Sequence, residues 1–399
     1  MDSLMLTRRR LLQASAGVGA AMALGASASF APPAAPAPAP AGVVPQVGHY
    51  GEAVLALHAR VLRLARGWVD EGRIVRPDGF IYAVDVAQLM ACFAEAGDEA
   101  GYHRLRDDAV RHLIVDDAAD PFTRGFVLWR YKPGAAAGAA RDASGTTEAL
   151  RTARALRLAA RAFHRPADAA LARLVLGGYA RHQGVEHGVW LVRNYFSFAT
   201  RSFATNSFLV DYDPDFLRDV AREWGDAALA ELADKSYALV RGALTPAGML
   251  YDLVQPELKT MYPLLENVAT FSPNDVVQLS NAATVANTVA RGAADVAAKV
   301  LKFATDRLGA PDGAGRALRT YHYGRTGEAV NDAEVGINEW GGLLRLAAGL
   351  GDRAAAAALL PSAVAAWDYY FNQLKPETPD AYVASEALAA MSAVLTLDQ

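Results

Sequence analysis

Cysteine and paired histidine are scarce in this chain, and their scarcity excludes several kinds of site. The 399 residues include one cysteine, Cys92, in an apolar helical pattern that is typical of a small buried side chain. One cysteine cannot form an internal disulfide framework or a cysteine metal site. No pair among the 8 histidines has the spacing of a zinc-binding helix. The sequence therefore predicts neither a metal ion nor another cofactor.

Signatures of several common chemistries are also absent. The chain has no Gly-x-Ser-x-Gly elbow for a serine nucleophile, no glycine-rich phosphate loop and no dinucleotide fingerprint. Its formal net charge is -4, so it lacks the basic field that attracts nucleic acid. With 52% hydrophobic and 21% charged residues, the composition indicates a soluble globular body that has no nucleic-acid partner.

The N-terminus carries the pattern of an export signal. Residues 7–12 read TRRRLL, and a weakly hydrophobic run rich in Ala and Gly follows as far as Phe30. This pattern is typical of a twin-arginine signal peptide, which we predict over residues 1–31, with cleavage after Ala28 favoured over Ala31. The alternative is an N-terminal membrane anchor, since about 20 apolar residues can span a bilayer. The signal predicts recognition by the twin-arginine (Tat) export machinery and a periplasmic or secreted protein.

A tract of Pro and Ala separates the signal from the rest of the chain. Residues 32–46 largely alternate these two residue types, a composition that cannot form a packed core and behaves as a semi-rigid linker. No second linker of this kind follows, and the short Gly/Ala segment 134–140 fits a surface loop better than a domain joint. We therefore predict a single domain over residues 47–399, and we expect a monomer.

The domain has the apolar periodicity of amphipathic helices. Apolar residues recur at intervals of three and four, whereas strand-like alternation is confined to the connectors 125–131 and 190–198. Twelve helical segments predict an all-α protein in which six inner and six outer helices close into an (α/α)6 toroid. The alternative is an open array of helical repeats. The predicted helices span 53–69, 82–96, 102–114, 148–163, 167–179, 214–224, 227–240, 276–289, 294–303, 336–350, 354–373 and 384–395.

Aromatic and polar side chains concentrate around the connectors between these helices. Loops lie at the surface, so a set of large aromatic residues there indicates a binding surface. Aromatic faces stack on sugar rings while amide, guanidinium and carboxylate groups bond the hydroxyls, which predicts a cleft for an oligosaccharide or polysaccharide. The alternative is a satellite core that closes the ends of the toroid. The candidate substrate-binding residues are Tyr82, Trp129, Tyr131, Arg193, Tyr195, Asn206, Tyr251, Tyr323 and Trp340.

Three acidic residues stand at predicted inner-helix starts. Asp78, Glu148 and Asp275 each come just before or at the beginning of an apolar helical segment. Each has a plain explanation, because acidic residues cap helix N-termini and interact favourably with the helix dipole. Their repetition at corresponding places of a toroid, however, predicts that all three point to the same end of the central cavity.

The segments around these acids resemble motifs of glycoside hydrolase family 8, the (α/α)6 endoglucanases that include the cellulase of bacterial cellulose-synthesis operons. Residues 77–83, PDGFIYA, resemble the motif Ser/Thr-Glu-Gly-x-x-Tyr-Gly/Ala, with Asp78 at the position of the general-acid glutamate. Residues 144–156 resemble an Asp-rich, sugar-contacting stretch in which Glu148 is the only acid here. Residues 274–278, NDVVQ, take the place of a Tyr-Asp-Ala-x-Arg motif and offer Asp275.

The resemblance implies an (α/α)6 fold and inverting hydrolysis of a β-linked glucan or exopolysaccharide. Asp78 is then the candidate general acid and Asp275 the candidate base, while Glu148 steadies the distorted sugar between them. Inversion places the two carboxyl groups roughly 6.5–9.5 Å apart, so that a water molecule fits. The acids that compete for these roles are Asp142, Asp252 and Glu339.

The sequence leaves two other function classes open. One is a polysaccharide lyase or an unsaturated-uronyl hydrolase on the same fold, for which arginines in the connectors would supply a basic cleft. The other is a non-catalytic glycan-binding accessory protein, which would need the aromatic cleft but no matched pair of acids. The arginines in question are Arg130, Arg193, Arg201 and Arg325.

Overall fold

The computed structural model describes residues 51–72, 74–134, 141–256, 275–309, 317–377 and 379–397. The predicted signal peptide and linker, and residues 135–140 of the predicted surface loop, lie outside this part of the chain. None of the helices in the described ranges is both long and apolar enough to cross a membrane.

Twelve α-helices are present in the described residues, and each corresponds to one of the predicted segments. Their boundaries match the predictions closely in most cases, and α6 begins and ends at the predicted residues. The helices are α1 (Gly51–Asp70), α2 (Ala83–Glu95), α3 (Glu99–Asp108), α4 (Thr146–Ala162), α5 (Pro166–Ala180), α6 (Pro214–Trp224), α7 (Ala227–Gly242), α8 (Leu279–Val289), α9 (Ala294–Thr305), α10 (Ile337–Gly349), α11 (Arg353–Tyr369) and α12 (Ala381–Leu397).

The even-numbered helices form a closed inner ring. Helix α2 packs against α4 on one side and against α12 on the other, and α6, α8, α10 and α12 pack in succession. A 3-10 turn, Leu209–Asp211, packs against both α4 and α8 and completes the ring beside α6. Each odd-numbered helix packs outside an inner one: α3 on α2, α5 on α4, α7 on α6, α9 on α8, α11 on α10 and α1 on α12. This is the predicted (α/α)6 toroid, not an open array.

Small residues allow the inner helices to approach one another closely. A Cβ atom placed on Gly342 of α10 would lie 3.1 Å from the Cβ of Ala283 in α8. A Cβ atom on Gly341 would lie 3.5 Å from that of Ala390 in α12. Both alanines are fully buried, so helix-to-helix contact at this side of the ring is made by backbone and methyl groups.

Short antiparallel strands precede several of the inner helices. In β1 (Ile81–Tyr82) and β2 (Arg130–Tyr131), Ile81 lies opposite Tyr131. Before α4, β3 (Ala143–Gly145) pairs with β6 (Tyr195–Ser197), which also pairs with β7 (Ser202–Phe203). The remaining pairs are β4 (Gln183–Glu186) with β5 (Val189–Val192), β8 (Ser207–Phe208) with β9 (Leu253–Val254), and β10 (Val276–Gln278) with β11 (Tyr321–Tyr323).

The strands shift two helix starts relative to the sequence prediction. Helix α8 begins at Leu279 and not at residue 276, because residues 276–278 pair with β11. Likewise α2 begins at Ala83, since Tyr82 belongs to β1. Apolar β-branched or aromatic residues at a helix entrance fit both the helical and the strand pattern, so periodicity alone predicted longer helices. As a result Asp275 lies four residues before α8 rather than at its cap.

Candidate active site

All three sequence-predicted acids lie at one end of the ring. We call this end the N-terminal face, meaning the first turns of the six inner helices together with the connectors and short strands that precede them. Asp78 lies in the connector before β1 and α2, Glu148 in the first turn of α4, and Asp275 in the connector before β10 and α8.

Asp78 is held by a tyrosine and faces an arginine. Its Oδ2 atom accepts a hydrogen bond from the hydroxyl of Tyr82 (2.6 Å) and lies 3.6 Å from Nη1 of Arg130. Its Oδ1 atom accepts a bond from the backbone N–H of Phe80 (3.2 Å). The side chain remains 44% exposed, so a ligand can reach this carboxylate without any rearrangement of the fold.

Aromatic rings and guanidinium groups form a wall beside Asp78. The guanidinium carbon of Arg130 lies 4.0 Å from the ring centroid of Phe80 and 4.1 Å from that of Trp129. Tyr82 meets Trp129 edge to face at 5.8 Å. Stacking of this kind fixes the planes of the rings, which is what a sugar-binding surface requires.

Behind this wall a buried ion pair anchors the connector to α2. Arg76 donates two hydrogen bonds to the carboxylate of Asp85, at 2.7 and 2.8 Å, and stacks over the ring of Tyr82 at 4.2 Å. Burial raises the pKa of Asp85, while Arg76 opposes that rise. The bidentate geometry fixes the segment that carries Asp78 in position relative to the inner ring.

Glu148 is the carboxyl group of this face that is best suited to hold a proton near neutral pH. It is half-buried at the third position of α4, and burial raises its pKa to about 7, with a smaller contribution from the charge of Asp211. The positive charges of Arg151 and Arg76 oppose this rise. The carboxyl folds back over Gly145, where a Cβ atom would lie 1.8 Å from Oε2. Only glycine leaves room for this arrangement.

Asp211 is a buried neighbour of Glu148 that the sequence analysis missed. It is fully buried, accepts bonds from the hydroxyl of Thr147 and the backbone N–H of Phe208 (2.8 Å), and burial raises its pKa to about 6. Its signal in the sequence is the acid-rich stretch 211–215, which runs into the first turn of α6. Arg151 was also missed, although it lies one turn after Glu148 on the same helix face.

A second cluster lies where α8 and α10 begin. The amide nitrogen of Asn281 donates hydrogen bonds to Asp252 (3.1 Å) and to the side-chain oxygen of Gln278 (3.3 Å). Burial raises the pKa of Asp252. Burial also raises the pKa of Glu339, which accepts a bond from the backbone N–H of Gly336 at 2.9 Å. The cluster therefore combines two carboxyl groups with uncharged amide partners.

Asp275 lies in the connector between α7 and α8, directly before β10. Its Oδ1 accepts a hydrogen bond from the hydroxyl of Tyr251 (2.6 Å), and its Oδ2 accepts one from the backbone N–H of Arg325 (3.3 Å). Its φ angle is +54°, an unusual backbone conformation for a residue other than glycine. Both carboxylate oxygens are thus engaged within the protein.

Six of the candidate substrate-binding residues lie at several different positions in the fold. Tyr82 and Trp129 lie beside Asp78. Tyr195 lies opposite Gly145 at the start of α4, and Trp340 lies in the first turns of α10. Tyr251 is buried against Asp275, while Tyr323 on β11 is 39% exposed.

Three other candidates point elsewhere or make only local contacts. Tyr131 stacks on His112 of the outer layer at 4.6 Å, because side chains alternate along β2 and that of Arg130 takes the inner side. Arg193 forms an ion pair with Glu186 (2.8 Å). The backbone oxygen of Asn206, between β7 and β8, accepts a bond from the backbone N–H of residue 194.

Some of the aromatic residues in the connectors form a satellite core, as the alternative interpretation proposed. Phe126 and Phe196 are fully buried with ring centroids 5.4 Å apart, and Phe203 lies 5.1 Å from Phe196. His182 packs into the same cluster, and burial lowers its pKa to about 4, so it is neutral at physiological pH. Aromatic residues of this chain therefore serve both the satellite core and the wall beside Asp78.

No protein-family model and no curated protein sequence matches this chain. Solved structures do match. A novel α-amylase from Clostridium perfringens is 13% identical, with a TM-score of 0.59 over 79% of this chain and 87% of the other. Endoglucanase Cel10 from Klebsiella pneumoniae, a family 8 glycosyl hydrolase, is 14% identical, with a TM-score of 0.55 over 84% and 99%. Rex8A from Paenibacillus barcinonensis, complexed with xylose, is 15% identical, with a TM-score of 0.54 over 81% and 84%.

These similarities confirm the fold that the motifs implied. The chain has an (α/α)6 fold like that of family 8 glycoside hydrolases, and the similarity extends over most of each chain. Within the described residues, no three His, Cys, Asp or Glu side chains are grouped so that they could hold a metal ion.

Proposed function

We propose that this protein is an exported glycoside hydrolase that cleaves a β-linked polysaccharide, a glucan or an exopolysaccharide, with inversion at the anomeric carbon. The observation that supports this most directly is Glu148, a half-buried carboxyl with a pKa of about 7 at the N-terminal face. It shares that face with the other carboxylates and with the wall of aromatic rings and arginines beside Asp78. A group that retains its proton near neutral pH can protonate a departing glycosidic oxygen.

Two carboxyl groups are candidates for the general acid. The family resemblance favours Asp78, but this side chain is exposed and lies 3.6 Å from the positive charge of Arg130. A general acid has to hold its proton near neutral pH, and burial gives Glu148 the raised pKa that this requires. We therefore assign the proton donor to Glu148, and we assign to Asp78 the binding of sugar hydroxyls next to the scissile bond. The second carboxylate, which activates water, comes from the connector between α7 and α8, which carries both Asp252 and Asp275.

The reaction balances with these groups alone. Glu148 gives its proton to the glycosidic oxygen as the bond from C1 to that oxygen breaks. On the opposite face of the ring, water attacks C1 and releases a proton to the second carboxylate. The product carries a new C1 hydroxyl of inverted configuration, and the two carboxyl groups exchange protons with solvent before the next cycle.

The charge pattern argues for a neutral glycan over a polyuronate. The connector arginines that could bind acidic sugars are already engaged with carboxylates: Arg130 lies 3.4 Å from Asp142, and Arg193 and Arg201 pair with Glu186 and Asp120. Such ion pairs reduce the positive potential that a lyase on acidic sugars requires.

The proposed reaction can be tested by measuring reducing ends released by the purified chain. The substrates are carboxymethyl cellulose, mixed-linkage glucan, xylan, chitosan, alginate and polygalacturonate. We expect release from a neutral β-glycan, an initial α-anomer by proton NMR, and loss of turnover in Asp78→Asn and Glu148→Gln. Release with ultraviolet absorbance on a uronate polymer would indicate a lyase. Binding without release would indicate a glycan-binding accessory protein.

Export is tested separately by replacing Arg8 and Arg9 with lysine. A twin-arginine signal requires the arginine pair, so the lysine variant should remain in the cytoplasm while the wild-type chain reaches the periplasm or medium. Cell fractionation followed by immunoblotting measures this. Equal export of both chains would contradict the assignment of residues 1–31.

A further inference from the structure

Asp252 does not belong to α8, and a strand pair holds it at the start of that helix. It immediately precedes β9, in which Leu253 lies opposite Phe208 of β8. Its backbone oxygen also accepts a hydrogen bond from the backbone N–H of Leu209 (2.9 Å). Asp252 is therefore fixed against the 3-10 turn that joins α4 and α8 in the inner ring.

The same turn also positions Glu148. Asp211, at the end of the turn, accepts a hydrogen bond from Thr147, the residue before Glu148. The segments that carry Glu148 and Asp252, at the entrances of α4 and α8, are thus both bonded to the turn Leu209–Asp211. An inverting mechanism needs two carboxyl groups on opposite faces of the sugar, roughly 6.5–9.5 Å apart.

The surroundings of Asp252 suit a base. Its carboxylate is half-buried, and its side-chain partner is the neutral amide of Asn281 at 3.1 Å. Asn281 also bonds Gln278, so its orientation is fixed by a second contact at 3.3 Å. A half-buried carboxylate with an uncharged partner keeps basic lone pairs that a water molecule can approach.

Asp275 offers less to a water molecule. Tyr251 occupies one of its oxygens and the backbone N–H of Arg325 the other, while Nε of Arg325 lies 4.0 Å from Oδ2. Helix α8 also begins four residues later, so Asp275 is not at the helix entrance.

We propose that Asp252 is the general base of the hydrolysis, with Asn281 and Gln278 as the residues that position it. In the step assigned to it, an O–H bond of water breaks, the proton passes to the carboxylate of Asp252, and the water oxygen bonds to C1. The bond from C1 to the glycosidic oxygen breaks at the same time, and that oxygen takes the proton of Glu148. This assignment rests on the proposed hydrolase function and identifies which carboxylate activates the water.

Azide rescue tests the assignment on the full-length exported chain. The variants are Asp252→Asn, Asp252→Gly and Asp275→Gly, with Asp234→Asn on the exposed side of α7 as a control for the substitution itself. Removing a general base costs roughly 10²–10⁴ in kcat, so we expect a loss of this size in both Asp252 variants, with KM changed less than about threefold. In Asp252→Gly, sodium azide should restore turnover and yield a glycosyl azide of inverted configuration. Asp234→Asn should behave as the wild type.

The outcomes separate this inference from the proposed function. Rescue of Asp275→Gly by azide, with none for Asp252→Gly, would place the base at Asp275 and overturn the assignment. Wild-type turnover in Asp252→Asn would overturn it as well. Loss of fold is distinguished by comparing the thermal unfolding of each variant with that of the wild type. A wild-type chain that hydrolyses no glycan would refute the proposed function, and the inference with it.

Discussion

Single carboxyl groups of the N-terminal face differ in burial and in the charges that lie beside them. Asp78 is exposed and lies next to a cation, whereas Glu148 is half-buried and lies beside a buried acid. Acid–base chemistry on a sugar needs one protonated and one ionised carboxyl at the same pH, and burial is the physical means of separating them. The division of roles is therefore a property of the fold around each residue and not of the residue type.

The raised pKa of Glu148 predicts the alkaline side of the pH profile. Turnover by the wild type should fall as the pH rises above about 7, because the ionised carboxylate has no proton to donate. Glu148→Gln should lose on the order of 10²–10⁴ in kcat on a polysaccharide. The loss should be much smaller on an aryl glycoside, whose leaving group needs no proton. Steady-state kinetics at several pH values measures both effects.

The control for this prediction is Glu231→Gln, which removes a carboxylate from the exposed surface of α7. It should retain the wild-type profile on both substrates. If Glu148→Gln lost equal activity on the polysaccharide and on the aryl glycoside, Glu148 would not be the proton donor.

The same residue links pH to stability. Its pKa in the folded chain, about 7, is above the ordinary value of 4.5. Between these values the native state holds the proton and the unfolded state has lost it, so stability falls as the pH rises through this window. We expect the wild type to lose roughly 1–3 kcal/mol more than Glu148→Gln between pH 4.5 and pH 8. Urea unfolding at both pH values measures the difference, and parallel losses in the two chains would argue against a raised pKa.

A site residue with a local signature can be proposed from the sequence. Asp78 and Glu148 were proposed because helix starts and short motifs are visible within a few positions. Asp211 and the pairing of Arg76 with Asp85 were not found, since their contacts are set by how the inner ring closes. A burial-driven pKa shift such as that of Glu148 likewise requires the three-dimensional surroundings.

At the scale of elements, periodicity predicted the twelve helices of the described residues but not all of their entrances. The strand pairs that precede α2 and α8 form between segments distant in sequence, so their effect on a helix start cannot be read locally. The short β8–β9 pair has the same origin, and it is this pair that carries Asp252 to the start of α8.

Replacing glycine by leucine should have opposite effects on stability at two positions, because only one of them lies in a close contact between inner helices. Gly342→Leu should destabilise the fold by about 1–3 kcal/mol, because the new side chain meets Ala283 across the contact with α8. Gly177→Leu in α5 has open space around its Cβ position, so better helix propensity should stabilise by up to about 1 kcal/mol. Thermal or urea unfolding measures both. A Gly342→Leu chain as stable as the wild type would mean that the helices can separate at no cost.

At the scale of the whole molecule, stability depends on closing the ring. Helix α12 packs against α10, α2 and α1, and so connects the two ends of the described domain. Its Glu386 is buried and accepts hydrogen bonds from Gln88 of α2 and Arg345 of α10 (2.8 Å), with Arg151 of α4 3.5 Å away. Four inner helices thus meet at one carboxylate, which would be left with an incomplete set of partners in an open chain.

Deleting α12 should therefore unfold the domain rather than shorten it. Truncation before Ala381 exposes the apolar faces of α2 and α10 to water and removes the carboxylate that Arg345 and Arg151 share. Because native domains are stable by only about 5–15 kcal/mol, we expect no cooperative thermal transition by circular dichroism. The matched control is a chain without residues 1–31, which should melt like the chain that retains them. An unchanged melting transition after removal of α12 would show that the ring is stable when open.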